Sequence, residues 1–174
     1  MGPLHDTIRA SLPVGLCTVA LLVAGILASP SHALGQDAPE VSIPLTVSTD
    51  AGGSQDLSLG LDPSATAGID SSLGEQEQPP LPPSDIFDAR LVDEDIPPSG
   101  FGQGLVDDFR QGSATFSGTK VHEIQIQPDS GATAVTISWT LPPGVSGTLT
   151  DVITEGGLVN ETMDGDGAYT LTNL

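Results

Sequence analysis

Wherever the chain is strongly patterned, apolar and polar residues alternate with a period of two, and turn residues separate the runs. Val41, Ile43, Leu45 and Val47 alternate through VSIPLTV, and Leu57, Leu59 and Leu61 alternate in the return segment. Asp50-Ala51-Gly52-Gly53 stands between them, so residues 41 to 61 are predicted to form a hairpin. Pro44 has no ladder donor, which predicts that this strand lies at a sheet edge. Further on, His122, Ile124 and Ile126 alternate in KVHEIQIQ, and Val135, Ile137, Trp139 and Leu141 alternate in AVTISWTL. The turn residues 128 to 131 lie between these two strands and predict that they pair. TLTDVIT (148 to 154), LVNETM (158 to 163) and AYTLTNL (168 to 174) complete the series.

No segment after Ala33 carries a helical stripe, and short strands at this spacing predict an all-β fold, an antiparallel immunoglobulin-like β-sandwich. Trp139, the only tryptophan, is placed by its alternation at the centre of the core; a surface platform for stacking sugars is the lesser reading. Between 74 and 104 the pattern gives way to proline and acid: Pro79-Pro80-Leu81-Pro82-Pro83, Asp93-Glu94-Asp95 and Pro97-Pro98. Only IFDARLV (86 to 92) there reads as a strand, and the rest reads as a stiff connection in preference to a polyproline ligand for an SH3-like partner.

The stretch from Met1 to Ala33 has the three-part form of a secretory signal peptide. Arg9 and the amino terminus give the positive start, and 14 to 27 is an apolar run shorter than the roughly twenty residues a spanning helix needs. Ser31-His32-Ala33 puts small residues where a signal peptidase cuts, so the expected mature domain runs from 34 to 174, without a membrane span. Cys17 raises the lipoprotein alternative, but bulky Leu16 precedes it and the apolar run continues past it. The expected location is extracellular, at the cell surface or periplasmic.

Without the leader there is no cysteine, one histidine, and 22 acidic residues against three basic ones, Arg90, Arg110 and Lys120, a net charge of −19. A domain so acidic lacks the basic face that nucleic acid requires. It has no disulfide to lean on, and at this size one apolar core suffices. The charge suits a salt-rich surrounding, where self-repulsion is screened, and equally an acidic extracellular protein of ordinary habitat.

Three segments in order carry a resemblance: LSLGLDPSATAGID (57 to 70) with Leu73-Gly74-Glu75, LPPSDIFDAR (81 to 90), and WTLPPGVSGTLTDVITEGGLVNETM (139 to 163) with Ala168-Tyr169-Thr170-Leu171-Thr172-Asn173. From about 45 to 174 the chain resembles a recurrent module of exported Bacteroidota surface proteins, often found near type IX secretion sorting domains. The resemblance implies an immunoglobulin-like sandwich and brings no catalytic or ligand residue with it. Such modules usually continue into one more apolar strand, which the residues up to Leu174 do not supply.

Candidate chemistry is sparse. Nucleophilic catalysis lacks a thiol, and the single histidine of the mature domain, His122, alternates with strand residues, which predicts packing at the core edge. With so many acids, no one pair of carboxylates stands out for glycoside hydrolysis. The better candidate is calcium. Asp164-Gly165-Asp166-Gly167 sets two carboxylates two residues apart on a glycine-bent loop, and Asp93-Glu94-Asp95 or Asp107-Asp108 could add oxygens. The competing reading of Asp164 and Asp166 is an ordinary Asp-Gly turn. Asn160-Glu161-Thr162 fits a glycosylation acceptor but falls inside a predicted strand.

The expectation is therefore a non-catalytic exported module with no resident cofactor unless calcium. Its role would be structural or adhesive, its partners protein or cell-surface glycan, with self-association through the C-terminal strand. A calcium-dependent or carbohydrate-binding protein is the alternative, and a small hydrolase the third.

Overall fold

The computed structural model describes residues 6 to 13 by their backbone, and residues 37 to 92, 104 to 172 and 174 in full. Among them the strands are β1 Asp6–Pro13, β2 Val41–Thr49, β3 Ser54–Asp62, β4 Asp88–Val92, β5 Asp107–Gln111, β6 Thr119–Gln127, β7 Ala134–Thr140, β8 Ser146–Asp151, β9 Asn160–Asp164 and β10 Asp166–Thr172. They make two five-stranded sheets. Sheet I has the order β4-β6-β1-β8-β9 and sheet II the order β10-β7-β2-β3-β5. Every pairing is antiparallel except β3 with β5, which run parallel from Ser58 opposite Asp107 to Asp62 opposite Gln111.

The period-two pattern is what builds this all-β sandwich. Successive side chains of a strand face opposite ways, so Ile43, Leu45 and Val47 of β2, Leu57 and Leu59 of β3, and Val135, Ile137 and Trp139 of β7 share the inner face of sheet II. Across from them lie Ala89 and Leu91 of β4, Ile124 and Ile126 of β6, Leu149 of β8 and Met163 of β9. Burial of a large aliphatic side chain contributes about 1.5 to 3 kcal/mol, and this apolar layer, with a smaller cluster of Ala65, Leu73 and Phe109 beside it, holds a cysteine-poor chain folded.

The 41 to 61 hairpin forms as predicted, with Val41 opposite Leu61 and Ser48 opposite Ser54. Its edge position does not. β2 lies inside sheet II with β7 on its other flank, and Pro44 is tolerated because pairing with β7 begins one residue later, at Leu45 opposite Trp139. The predicted pairing of the KVHEIQIQ and AVTISWTL strands is also overturned: β6 belongs to sheet I and β7 to sheet II. The link between them is a corner, not a hairpin turn. Asp129 Oδ1 accepts the Thr49 hydroxyl at 2.6 Å, and the Ser130 N–H donates to the Asp85 carbonyl at 3.1 Å. Each strand has one apolar face, and both faces are buried when the corner delivers them to opposite layers.

The proline-rich connection is held against sheet I. Arg90, buried in β4, donates to the Pro79 carbonyl at 2.9 Å, and Gln127 Nε2 of β6 donates to the carbonyls of Pro82, Pro83 and Ile86 at 3.3, 2.9 and 2.8 Å. Leu105, fully buried, closes a bridge with Leu91 through two backbone hydrogen bonds of 2.7 and 2.8 Å. Asp93-Glu94-Asp95 lies outside the described residues.

One strand has an unexpected source. β1 comes from within the stretch read as the leader, and it is the middle strand of sheet I, between β6 and β8. The apolar core of that leader and the cut after Ala33 lie outside the described residues.

Candidate functional site

The densest polar chemistry lies inside the sandwich, at one side of the core. His122 points inward from β6 and Asp108 from β5, so the two come from different sheets; His122 Nδ1 sits 2.7 Å from Asp108 Oδ2. Arg110, two residues along β5 and so on the same face, donates to the same carboxylate from Nε at 3.2 Å and from an Nη atom at 2.9 Å. Burial pushes the Asp108 carboxyl up, but the hydrogen bond and charge of His122 and the charge of Arg110 outweigh it and hold the group below the ordinary aspartate range.

Glu75 adjoins this seam, and its residue is fully buried. Its Oε1 accepts the Phe109 N–H and its Oε2 the Asp70 N–H, both at 2.6 Å. Here burial prevails over those two hydrogen bonds, and the nearby Asp108 and Asp70 charges add to it, so the Glu75 carboxyl is raised. The carboxylate thus fastens the 3-10 turn at Ser71–Leu73 to the edge strand β5. A hydrogen-bonded histidine and carboxylate are the parts of a general base. In this arrangement His122 is only 1% exposed and its carboxylate is shared with a guanidinium, which fits a tie between two sheets better than proton transfer to a substrate.

Asp108-Phe109-Arg110 has a counterpart in Asp88-Ala89-Arg90, where Arg90 Nε and an Nη atom each reach Asp88 at 2.6 Å. Both are Asp-x-Arg on a strand, which puts acid and base on one face. The sequence reading missed these clamps, and that spacing is the signal that could have revealed them. The third basic residue of residues 34 to 174, Lys120, lies over the Phe116 ring at 5.1 Å. Asp151 is a further unforeseen anchor. Burial pushes its carboxyl up, but the N–H groups of Val159, Thr154 and Leu158 and the Thr154 hydroxyl together hold it well below the usual range. It thereby closes the loop between β8 and β9.

Asp164 and Asp166 are both exposed and flank Gly165, whose φ of 54° is the left-handed conformation glycine favours. The bend they form joins β9 of sheet I to β10 of sheet II, so it is a corner between layers. The Leu141 N–H donates to the Gly165 carbonyl at 3.0 Å. Asp107 and Asp108 lie on β5 and are not brought to this corner, and among the described residues no three His, Cys, Asp or Glu side chains gather where one cation could be held.

Trp139 is 5% exposed and packs in the core. It stands opposite Gly167 of β10, and a Cβ there would lie 2.6 Å from the ring, so glycine makes room for the indole. The indole N–H is buried and meets no partner among the described residues. An open cleft of about 480 Å³ runs past Ala65, Thr66, Arg110, Gln111 and Lys120 and has no aromatic ring in its wall.

β10 forms one edge of sheet II and pairs with β7 alone, from Asp166 opposite Thr140 to Thr172 opposite Ala134. Its sequence DGAYTLT contains no lysine or proline. No family model, no curated protein and no solved structure matches this chain.

Proposed function

We propose that the chain is an exported, non-catalytic β-sandwich module with a structural or adhesive role at the cell surface or outside the cell. The observation that carries this reading is the β10 edge: a seven-residue strand whose outer flank lacks the lysine, proline or bulge that usually blunts such an edge. Strand addition is a common way for one protein to hold another, with backbone hydrogen bonds for affinity and alternate side chains for specificity. The buried Asp108–His122–Arg110 cluster supports a mechanical role for the only histidine of residues 34 to 174. The leader-like stretch up to Ala33 and the acidic composition support export. Calcium at Asp164 and Asp166 is the alternative, favoured by two exposed carboxylates on one bend.

Sedimentation of the parent and of Ala168→Lys tests the edge. The parent should self-associate in the micromolar range, and the lysine on the exposed position should abolish this while changing stability by no more than about 0.5 kcal/mol. A parent that stays monomeric at every concentration removes the support for docking at β10. Thermal melting with millimolar calcium tests the alternative, since a bound ion raises stability by about 2.7 kcal/mol at one hundred times its dissociation constant.

A further inference from the structure

The middle of sheet I is built from residues that an exported form of this protein would lose. β1 pairs along its whole length with β6, from Asp6 opposite Ile126 to Pro13 opposite Thr119, and with β8 from Ile8 opposite Asp151 to Ser11 opposite Thr148. A cut after Ala33 removes this strand and leaves β6 and β8 with their facing flanks unpaired. We infer that the slot between β6 and β8 is a strand-accepting site, filled by residues 6 to 13 in the precursor and by an extended segment of another protein after export. This rests on the export reading above, because only loss of the leader vacates the slot.

The walls say what the occupant must be. Neighbouring strands in a sheet lie about 4.8 Å apart, so the flanks of β6 and β8 cannot meet across a missing strand unless one of them shifts by a full strand spacing. Such a shift would pull Ile124 and Ile126, or Leu149, out of the packed core. Unpaired backbone groups beside a core are costly, which makes the vacant slot avid for a strand. The buried neighbours Ile126, Ile124 and His122 on β6 and Leu149 on β8 line the inner face, so an occupant needs small or apolar residues at alternate positions. The seated segment has Ile8, Ala10 and Leu12 at the register positions of that phase, with Asp6 at its end opposite Ile126. The register position between Glu123 and Thr150 belongs to Arg9, and a basic residue at that position suits an acidic domain. The partner is thus a strand of about eight residues, small or apolar at alternate positions, running antiparallel to both neighbours, with a basic residue at the register position of Arg9.

The test begins with the full chain carrying Cys17→Ser, Arg9→Cys and Glu123→Cys. Mild oxidation should cross-link the pair, whereas Arg9→Cys with Val121→Cys, two residues out of register, should not; equal cross-linking of both overturns the seating. Next, a specific protease site placed at residues 29 to 33 of the otherwise unaltered chain is cut, the released N-terminal fragment is separated from the rest, and the fluorescent peptide DTIRASLP is added. The cut chain should take up one peptide per molecule, and its Tm should rise by about 5 °C or more at saturation. A scrambled peptide should do neither, and an Arg→Glu peptide should bind at least tenfold more weakly. If the cut chain unfolds, refolding by the peptide supports the site and failure to refold overturns it. A cut chain that binds no peptide and melts like the intact one has closed its own slot, which also overturns it. Dimers of cut chains formed without peptide make a second copy the occupant and refute the partner named above. Because the cut is made in vitro, uptake reports on the slot alone, while the mass of the protein recovered outside the cell reports separately on whether the leader is removed.

Discussion

The two sheets of this sandwich differ in where their middle strand originates. Sheet II is centred on β2, which joins its neighbour β3 by a four-residue turn and lies wholly inside the domain expected after export. Sheet I is centred on β1, drawn from the far N-terminus and separated from β2 by residues 14 to 40. A local hairpin closes with little loop entropy, whereas a distant strand must be brought in across a long connection. The difference teaches that sheet II is self-sufficient in local sequence, whereas sheet I depends for its middle strand on a distant N-terminal segment.

The largest single-residue effects should come from the core and sharpen this contrast. Trp139→Ala, in the self-sufficient sheet, should cost about 3 to 5 kcal/mol in chemical denaturation, the range for a buried large aromatic. Trp139→Phe should cost clearly less, because it keeps the ring contacts and removes an indole N–H that has no partner among the described residues. The matching change in the dependent sheet, Ile124→Ala, should cost about 2 to 5 kcal/mol in the full chain and markedly less once residues 6 to 13 are released. Equal costs in both states would mean that sheet I does not depend on β1 for its packing.

Next in size is the tie between the sheets. Asp108→Ala leaves His122 and Arg110 without their shared carboxylate, and removing one member of a buried ionic cluster costs about 3 kcal/mol or more. His122→Gln should be milder, since the amide can still donate to Asp108 and Arg110 remains. If Asp108→Ala melts like the parent, the seam contributes nothing and the two sheets are joined by apolar contact alone.

How much of this was legible follows the same division. Four strands of sheet II, β2, β3, β7 and β10, were readable because each alternates apolar and polar residues and the Asp50 to Gly53 turn is local, whereas β5, with the sequence DDFRQ, carries no such alternation and was not foreseen. The predicted hairpin, Trp139 in the core and the burial of His122 all came from that period. Strand partners were less readable. The corner at 128 to 133 looks in sequence like a hairpin turn, and which sheet a strand joins is set by packing between layers. Pro44 misled because one missing donor is harmless where the neighbouring strand has not yet begun. The seam was hidden for a different reason: Glu75, Asp108 and Asp151 are acids in a chain full of acids, and composition alone does not reveal which few are buried. The repeated Asp-x-Arg spacing at 88 to 90 and 108 to 110 was the available signal. β1 was obscured because the same residues also fit the start of an export signal, and alternation over Ile8, Ala10 and Leu12 is weak beside that pattern.

A smaller effect is expected from pH, and its sign separates two kinds of carboxylate. Asp108 and Asp151 are held below the unfolded aspartate value of about 3.9, so their contribution is complete above it and is lost as pH falls through their depressed folded values. Glu75 is raised, so its penalty is present at neutral pH and fades as pH falls toward the unfolded glutamate value of about 4.3. The melting temperature should therefore rise gently as pH is lowered from neutral toward about 4.3 and fall steeply once it drops below about 3.9. In Glu75→Gln one of the two N–H groups loses its acceptor, so stability should drop by about 1 to 3 kcal/mol. The rise should also shrink, leaving the part due to Asp107, whose carboxyl burial likewise raises, and to general relief of charge.

The smallest expected effect is the most general one, and it tests whether charge distinguishes the sheets at all. Over residues 34 to 174 three basic residues face 22 acids, and all three bases are engaged within the fold: Arg90 with Asp88, Arg110 with Asp108 and Lys120 over Phe116. Little positive charge is left to interrupt the acidic surface, so like charges repel across it. The Debye length is about 10 Å at 0.1 M salt and falls to about 3 Å at 1 M. The chain should therefore melt a few degrees higher in 2 M than in 0.1 M potassium chloride, with a charge-poor β-sandwich as the control for general salt exclusion. Repulsion spread evenly over both layers should give the same increment to Trp139→Ala and Ile124→Ala. A larger increment for the Ile124 variant would place the acidic burden on sheet I, beside Glu123 and Glu161, where a basic incoming strand would relieve it. Equal melting temperatures in the two salts would show that the excess of acid costs this fold nothing.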